Sequence, residues 1–580
     1  TVGWFTSMYP IIVECTEDIQ ESIVSTKEML RKVPNHGMGY GLLKSEFEKV
    51  SADIYFNYLG EMDAENKNST DYSSGISIAE ENRLPGAINI NGSVIQDKLS
   101  FSIMYDKNKY MQDTIEEFAK LYRNSLNESV MYCVNKEQRI RTMSDYSKEE
   151  ITTEDFEVLT SYFNYKKAYV MDIYSLTPLQ EGILYQRLLD NKSSNYVIQK
   201  VFAFSGKIDE EKIQDALKLL GRKHDVLRTV IMYEKISKPR QVVLKNREIE
   251  YKKEDLSKLN KAQQNKKVLE IEKLDVKRGF NLQKDKLMRI KYIVLDDESS
   301  KLIWTIHHII VDGWCWSIIF GDFMRYYKGL KAGKSISEME RRVDKEKMET
   351  AEYGEYISWV EKQDKEEGIE YWKELLSDYD GVAEIKPIKK THPTEEQVKE
   401  AGINVPKETS EKLFKVARLN NVTINNIVEA AWGIVLQRYN GTNDVVFGKV
   451  VSGRNADIKG IEKTVGLFIN TIPFRVKCDE RTTIRTLLKE LKQQGIDGNS
   501  YDYCSLAEIQ NETQQKSDLI KTIFAFENYY VDESNLSSGE GALQIKYEAA
   551  REQTNYAITL GAYANDEQLM CSIMYNPNEY

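Results

Sequence analysis

The sequence has few cysteines for its length, and it lacks long apolar or basic runs. Six cysteines occur among 580 residues without a Cys-x-x-Cys pair, so we expect reduced thiols in a cytoplasmic protein rather than a disulfide scaffold. No stretch approaches about 18 consecutive apolar residues, which argues against a membrane span. The formal net charge is −11 without a long basic segment, which argues against nucleic acid as a partner.

Histidine is also scarce, and two of the five histidines are adjacent. They lie between a predicted strand and a predicted helix, where catalytic residues often occur. The segment Lys301 to Tyr327 opens with a short apolar run, which predicts a buried strand, and closes with apolar residues at helical spacing. His307 and His308 follow the strand, and Asp312 and Gly313 precede the helix. Rigid elements on both sides of a loop hold its side chains in place. This junction is therefore the first candidate site.

The chemistry of the histidine pair is open at this point. Neighbouring residues of a strand point to opposite faces, so only one of His307 and His308 can face a given cavity. The same geometry makes a metal site a weak interpretation, because nothing nearby supplies a third ligand. The alternative to a functional role is a histidine that is simply packed in the core.

Part of the sequence occurs twice. TVGWFTSMYPIIV at 1–13 matches TVGLFINTIPFRV at 464–476. Two further pairs follow in the same order, namely DIYFNYLGE with KTIFAFENY at 521–529, and LSFSIMYDKNKY at 99–110 with LMCSIMYNPNEY at 569–580. Three blocks at nearly constant separation predict that the chain holds the same half of two related domains. The helical pattern after the first copy has no counterpart after the second, so we expect a piece of a longer polypeptide.

The segment HHIIVDG, His307 to Gly313, resembles the HHxxxDG motif of nonribosomal peptide synthetase condensation domains and of the wider chloramphenicol acetyltransferase-like superfamily. TPLQEG at 177–182 resembles the opening motif of those domains. KHDVLRT at 223–229 resembles their second motif, RHxxLRT, with Lys223 in place of arginine. DVVFGKVVSGR at 444–454 and the VGLFINTIPFRV that follows resemble later motifs in the same order.

The first copy resembles a different subfamily. TVGWFTSMYPIIVE at 1–14, HGMGYGLL at 36–43 and FNYLGE at 56–61 resemble three successive motifs of epimerization domains, which share the condensation fold. Trp4 and the GMGYG run distinguish them from the second copy. In that family the catalytic His and Glu belong to the half that precedes these motifs. We therefore expect that this segment alone does not epimerise a substrate.

The resemblance covers essentially the whole chain and implies an α/β architecture. Two chloramphenicol acetyltransferase-like lobes would form a V, preceded by the C-terminal lobe of a second copy of the same fold. The implied domains are an epimerization-type half at 1–140, an interdomain linker at 141–171 and a condensation domain at 172–580. Within the condensation domain, the N-lobe would span about 172–345 and the C-lobe about 380–580, without its last helix.

The resemblance also implies roles for the site residues. His308 would lie in the middle of a tunnel between the lobes and act as acid or base, or stabilise the tetrahedral intermediate, while His307 would fix the loop. Backbone N–H groups near Gly313 would hold the oxyanion. Asp312 would form a buried ion pair with Arg228. The remaining candidates for the walls of the tunnel are Trp314, Ser452, Arg454 and Asn470.

The implied reaction is amide-bond formation during the biosynthesis of a secondary metabolite. A peptidyl thioester on an upstream carrier protein would be the donor, and an aminoacyl group on a downstream carrier the acceptor. The chain would bind no cofactor itself, since 4′-phosphopantetheine is attached to the carriers, and an adenylation domain would adjoin it. TPLQEGILYQ at 177–186 resembles the subclass that takes D-configured donors and L-configured acceptors.

Two alternatives remain. One is a stand-alone acyltransferase that uses coenzyme A, which the epimerization-like first segment disfavours. The other is a non-catalytic domain that only docks carriers, which the intact HHIIVDG disfavours.

Overall fold

The chain divides into two compact units, residues 1–145 and 146–580. A computed structural model provides the structure. Trp4 and the end of the 521–529 repeat block lie outside the described residues. The structure describes residues 6–43, 52–62, 86–95, 97–136, 141–146, 151–190, 194–206, 208–387, 398–527, 544–551, 554–565 and 568–580.

In the first unit, a three-stranded sheet packs against a long helix. Its described elements are α1 (Ile19–Arg31), α2 (Met38–Leu42), β1 (Ile54–Met62), β2 (Ile88–Ile95), β3 (Lys98–Tyr105) and α3 (Gln112–Val134). Strand β2 lies in the middle, parallel to β1 and antiparallel to β3. A small core joins Ile88 and Ile90 of β2 to Ile115 of α3. It forms because residues 88 and 90 lie on the same face of the strand.

The second unit begins with a helix and contains the following described elements in chain order. They are α4 (Thr153–Tyr165), β4 (Val170–Ser175), α5 (Pro178–Leu189), β5 (Val197–Ser205), α6 (Glu210–Lys223), β6 (Thr229–Met232), β7 (Arg240–Leu244), β8 (Glu250–Asp255), α7 (Lys261–Arg278), β9 (Met288–Val294), β10 (Ser299–His307), α8 (Cys315–Lys331), α9 (Ile336–Lys347), α10 (Tyr353–Glu361), α11 (Lys365–Leu376), β11 (Lys399–Asn404), α12 (Lys407–Leu419), α13 (Ile424–Asn440), β12 (Asp444–Val451), β13 (Asn470–Lys477), α14 (Ile484–Asn499), α15 (Leu506–Asn511), β14 (Thr522–Phe526), β15 (Gln544–Arg551), β16 (Ile558–Ala564) and β17 (Leu569–Tyr575).

The described strands of the second unit form three sheets. A five-stranded sheet in the order β15-β5-β10-β9-β8 and a three-stranded sheet in the order β4-β7-β6 belong to the N-lobe. A six-stranded sheet in the order β11-β17-β16-β14-β12-β13 forms the C-lobe. Strand β15 comes from the C-terminal part of the sequence but pairs with β5 of the N-lobe. The chain therefore crosses between the lobes a second time before it returns to the C-lobe in β16.

The sequence repeat is also a repeat of structure. Two helices and three strands occur in the same order in the first unit, as α1, α2, β1, β2 and β3, and in the C-lobe, as α14, α15, β14, β16 and β17. In the C-lobe copy, β15 of the N-lobe sheet intervenes between β14 and β16. In both sheets the first of the three strands is parallel to the second, and the second is antiparallel to the third. Two of the three matching blocks thus form the same strands in both copies. The first block does not, because its described residues 6–13 form no strand, whereas residues 470–476 belong to β13.

The stretch predicted as a linker, 141–171, is only partly a connection. Within it, α4 is capped by the side chain of Thr152, and its apolar face packs on the N-lobe. Leu159 and Phe163 are buried in one cluster with Ile173 and Val242. Full burial of such a side chain stabilises a fold by about 1.5–3 kcal/mol. The helix therefore belongs to the second unit, whose boundary lies at 145/146.

The core around β10 and α8 positions the loop between them. Strand β10 lies between β5 and β9, and Trp304 at its centre is fully buried. Its ring lies 5.1 Å from that of Phe323 and 6.0 Å from that of Phe320, both on α8. Aromatic pairs at such distances stabilise a fold beyond the contribution of the buried surface itself. The strand and the helix are therefore locked together just outside the His-His loop.

Among the described residues, no helix is both long and apolar enough to cross a membrane.

Candidate functional site

The two histidines leave β10 in opposite directions. His307 is the last residue of the strand and pairs with Val197, whereas His308 starts a short 3-10 turn. His308 is one of the residues that line a cavity. The backbone N–H of His308 donates to the carbonyl of Tyr196 at 2.8 Å. The alternation of the strand thus sends only one imidazole to the cavity.

His307 holds the loop from behind. Its Nδ1 accepts a hydrogen bond from the backbone N–H of Ile309 at 3.1 Å, and its ring meets Phe280 edge-on at 5.8 Å. Burial lowers the pKa of His307 to about 3, with smaller contributions from His308, Arg187 and Arg289. The imidazole is therefore neutral at physiological pH, as an acceptor for a backbone N–H must be.

Asp312 ties the loop to the C-lobe. Its carboxylate is fully buried and accepts from the backbone N–H of Phe468 at 3.0 Å and from that of Cys315 at 3.2 Å. The guanidinium of Arg454 lies 3.4 Å from the same carboxylate. Arg454 in turn donates to two carbonyls of its own loop, at Ile461 and Thr464. The ion pair and the Phe468 bond thus join the N-lobe loop to two C-lobe segments.

A glycine allows this close approach. Gly453 has a φ of +62°, and a Cβ there would lie 1.8 Å from the carbonyl oxygen of Phe468. That oxygen also accepts from the hydroxyl of Tyr356 at 3.3 Å. A side chain at 453 would therefore push apart the two loops that hold Arg454 and Phe468 against Asp312.

The predicted ion pair between Arg228 and Asp312 is wrong. Arg228 pairs with Asp225, because both lie in the same short turn, and it donates to the carbonyls of Gly221 and Leu244 at 2.7 and 2.5 Å. Its guanidinium is therefore used within the N-lobe. Local spacing favours an i, i+3 partner, whereas the partner of Asp312 lies 142 positions away.

The cavity has a volume of about 230 Å³ and receives side chains from both lobes. Gly313 lines it beside His308. The other lining residues are Leu179, Ile183, Asn195 and Tyr196 from the N-lobe side, with Val398, Val450, Ile469, Thr471, Ile523, Ala525, Glu527, Thr554, Asn555, Tyr556, Ala557, Thr559, Met574, Tyr575, Asn576 and Glu579 from the C-terminal part.

The four predicted wall residues are not among the described residues that line this cavity. Asn470 turns inward and donates to the carbonyls of Asp502 and Cys504, while Ile469 and Thr471 on either side of it face the cavity. The prediction thus placed Asn470 on the wrong face of β13, since its side chain points away from the cavity.

The other three candidates are placed differently. Ser452 is exposed, and Arg454 is buried against Asp312. Trp314 is 36% exposed, and its indole N–H donates to the carbonyl of Glu462 at 3.1 Å.

In the part of the chain that the structure describes, no cluster of three or more His, Cys, Asp or Glu side chains is suited to a metal ion.

Asp502 is a buried carboxyl next to the loops that hold Asp312. Burial raises its pKa to about 7, although a hydrogen bond from Asn455 lowers it. A carboxyl whose pKa is raised by folding favours the folded state at low pH. That contribution is complete below the unfolded pKa near 4 and is lost as the pH rises through about 7.

We therefore expect Asp502→Asn to stabilise the protein at high pH. At pH 8 the gain should be on the order of 2–4 kcal/mol, and at pH 4 it should vanish, since one pKa unit corresponds to about 1.4 kcal/mol. Melting temperatures of the variant and the wild type between pH 4 and 8 measure the difference. Asp457→Asn, at an exposed carboxyl of the same lobe, is the control. Parallel curves for Asp502→Asn and the wild type would contradict the prediction.

The comparison with known families covers nearly the whole chain. The family model described as "Condensation domain" matches residues 1–152 and 170–580. Bacitracin synthase 1 of Bacillus licheniformis is 34% identical over 594 residues, a region that covers 100% of this chain and 11% of the synthase. Bacitracin synthase 3 of the same organism is 35% identical over 605 residues, covering 100% of this chain and 9% of that synthase. The chain thus spans a small part of each relative.

Solved structures show the same fold at low identity. The condensation domain of Monacolin K polyketide synthase has a TM-score of 0.57 and 15% identity, over 71% of this chain and 94% of that one. The first condensation domain of the calcium-dependent antibiotic synthetase has a TM-score of 0.54 and 15% identity, over 71% of this chain and 92% of that one. These likenesses confirm the predicted two-lobed α/β fold.

Proposed function

The chain belongs to the condensation domain family, and we propose that residues 172–580 join two carrier-bound substrates through an amide bond. The amine of an aminoacyl thioester attacks the carbonyl carbon of a peptidyl thioester. A C–N bond forms, the C–S bond breaks, and the thiol of the donor arm leaves with a proton. The lengthened peptide stays on the acceptor arm.

One observation carries this proposal. His308 lines a cavity to which both lobes contribute, and the loop before α8 is tied to the C-lobe through Asp312 and Arg454. A chamber between two lobes suits two substrates that enter separately. Holding both reacting groups in one place can supply about 7–11 kcal/mol of the barrier.

His308 is the group that we assign to the reacting atoms. The thioester is already activated, so the protein needs to hold the substrates and manage one proton. His308 either accepts the proton of the attacking amine or stabilises the tetrahedral intermediate, and a positioned histidine contributes about 10²–10⁴-fold. Gly313 lines the same cavity as His308, and backbone N–H groups at the start of α8 suit a developing oxyanion. His307 keeps the loop in place.

The partners follow from the chemistry. The substrates arrive on 4′-phosphopantetheine arms of an upstream and a downstream peptidyl carrier protein, and an adenylation domain adjoins in the longer polypeptide. We assign no cofactor to the chain itself, and neither nucleic acid nor membrane takes part. The reaction belongs to the cytoplasm and to the biosynthesis of an antibiotic-type peptide. Residues 1–140 form the C-terminal half of an epimerization-type domain.

A two-arm assay separates this proposal from its alternatives. The same peptidyl donor is offered on a carrier protein or on coenzyme A, together with a loaded acceptor carrier. Transfer from the carrier but not from coenzyme A supports the proposal. Efficient transfer from coenzyme A supports a stand-alone acyltransferase, and binding of carriers without transfer in either arm supports a docking domain.

We expect the domain to prefer a donor whose last residue is D-configured, together with an L-configured acceptor. The opening TPLQEGILYQ and the epimerization-like segment before it favour this pairing. Inversion at Cα exchanges a side chain with a hydrogen, and a packed wall near His308 accepts one arrangement. A difference of about 1.4 kcal/mol already gives tenfold selectivity.

Initial rates with matched D- and L-terminal donors on the upstream carrier measure this preference. Equal rates, or faster transfer of the L-terminal donor, would contradict it.

A further inference from the structure

Tyr196 lies directly beside His308 in an unusual backbone conformation. It precedes β5 and has a φ of +65°, a region that non-glycine residues rarely adopt. Such a conformation is strained and persists where surrounding contacts demand it. One such contact is the carbonyl of Tyr196, which accepts the backbone N–H of His308 at 2.8 Å.

The side chain of Tyr196 also meets His308. The two rings are 6.4 Å apart and nearly perpendicular, at 87°. Both residues line the cavity. Tyr196 thus contacts His308 at two points, through its backbone carbonyl and through its ring.

The far end of the tyrosine is anchored on another part of the chain. Its hydroxyl donates to the side-chain oxygen of Asn555 at 2.5 Å. Asn555 lies between β15 and β16, on the segment that returns from the N-lobe sheet to the C-lobe, and it lines the same cavity. Burial raises the pKa of Tyr196, so the phenol remains a hydrogen-bond donor at physiological pH.

We propose that Tyr196 is a positioning residue for His308 and that Asn555 is its anchor. The hydrogen bond between them fixes the phenol ring, and the ring in turn restricts the rotation of the imidazole. The orientation of the His308 imidazole therefore depends on Asn555, which lies on the segment that returns from the N-lobe sheet to the C-lobe. This inference rests on the proposed function for its effect on catalysis, but its effect on the histidine is measurable without any substrate.

The test uses Tyr196→Phe, Asn555→Ala and the double variant. Tyr196→Phe keeps the ring but removes the hydroxyl, and Asn555→Ala removes the acceptor. We expect each to lower kcat about 10- to 100-fold, since misplacement by about 1 Å has effects of this size, while KM for the loaded carriers changes less than about threefold. The double variant should be no slower than the slower single variant, because both remove the same bond.

A spectroscopic signal separates positioning from general damage. With only five histidines in the chain, the Cε1–H signal of His308 can be assigned by its loss in His308→Ala. We expect Tyr196→Phe and Asn555→Ala to shift this signal in the same direction, because in both variants the aromatic ring beside the imidazole moves. The control is Tyr501→Phe, which removes a tyrosine hydrogen bond to Glu367 outside the cavity and should leave the signal unchanged.

The outcomes are distinguishable. An unmoved His308 signal in both variants would overturn the inference, whatever their activity. If the signal shifts but the kcat losses of the two single variants add up in the double variant, Tyr196 and Asn555 do not act through one shared hydrogen bond. If the variants shift the His308 signal but the wild-type chain shows no transfer, the positioning of His308 is supported and the proposed function is refuted.

Discussion

Replacement of His308 by alanine is expected to reduce amide formation about 10²–10⁴-fold while the protein keeps its fold. His308 lines the cavity, and in the proposed reaction it accepts the proton of the attacking amine or stabilises the charge of the intermediate. Its loss removes that help but leaves the binding of both substrate arms. The residual rate comes from holding the two thioesters together.

Single-turnover transfer between loaded carriers measures this effect, and a melting curve shows whether the variant is folded. His36→Ala provides the control, since His36 is an exposed histidine of the first unit and should have no effect on transfer. If His308→Ala retains most of the activity, His308 is not the group that acts on the reacting atoms.

The second large effect is expected for Asp312→Ala, which should cost about 3–5 kcal/mol of stability and also reduce transfer. The substitution leaves the buried guanidinium of Arg454 without its carboxylate and the backbone N–H of Phe468 without its acceptor. A buried charge without a partner destabilises a protein much more than an isolated ion pair on the surface stabilises it. The loop of His308 also loses its tie to the C-lobe.

A double-mutant cycle tests the pair itself. Arg454→Met removes the charge and keeps much of the apolar stem, so Asp312→Ala combined with Arg454→Met should cost clearly less than the sum of the single changes. The matched comparison is Arg228→Met, whose partner is Asp225 and whose effect should add to that of Asp312→Ala. An Asp312→Ala variant that melts like the wild type would show that the pair is not a structural tie.

Local patterns in the sequence were sufficient to find the His-His loop and the repeat. An apolar run, two histidines and a helical period place His308 just after β10, because strand and helix periods are properties of neighbouring residues. The repeated blocks predicted the same half of two related domains, and two of the three block pairs form matching strands.

Contacts between distant segments were not predictable in the same way. Arg454 was chosen as a wall of the tunnel, yet it pairs with Asp312, 142 positions earlier. Asn470 was chosen for the motif around it, but one step along β13 reverses the face, so its neighbours line the cavity instead. The bond from Tyr196 to Asn555 depends on β15 crossing to the N-lobe, which no local period reveals.

The central claim is that this chain moves a peptide from one carrier to another by forming an amide. The most direct measurement is the intact mass of both carriers in a single turnover, with a peptidyl donor, an aminoacyl acceptor and the wild-type chain or His308→Ala. We predict that the peptide mass leaves the donor carrier and appears on the acceptor carrier with the wild type, and that this transfer is about 10²–10⁴-fold slower with His308→Ala. Unchanged masses on both carriers with the folded wild-type chain, or equal transfer by the two proteins, would contradict the account.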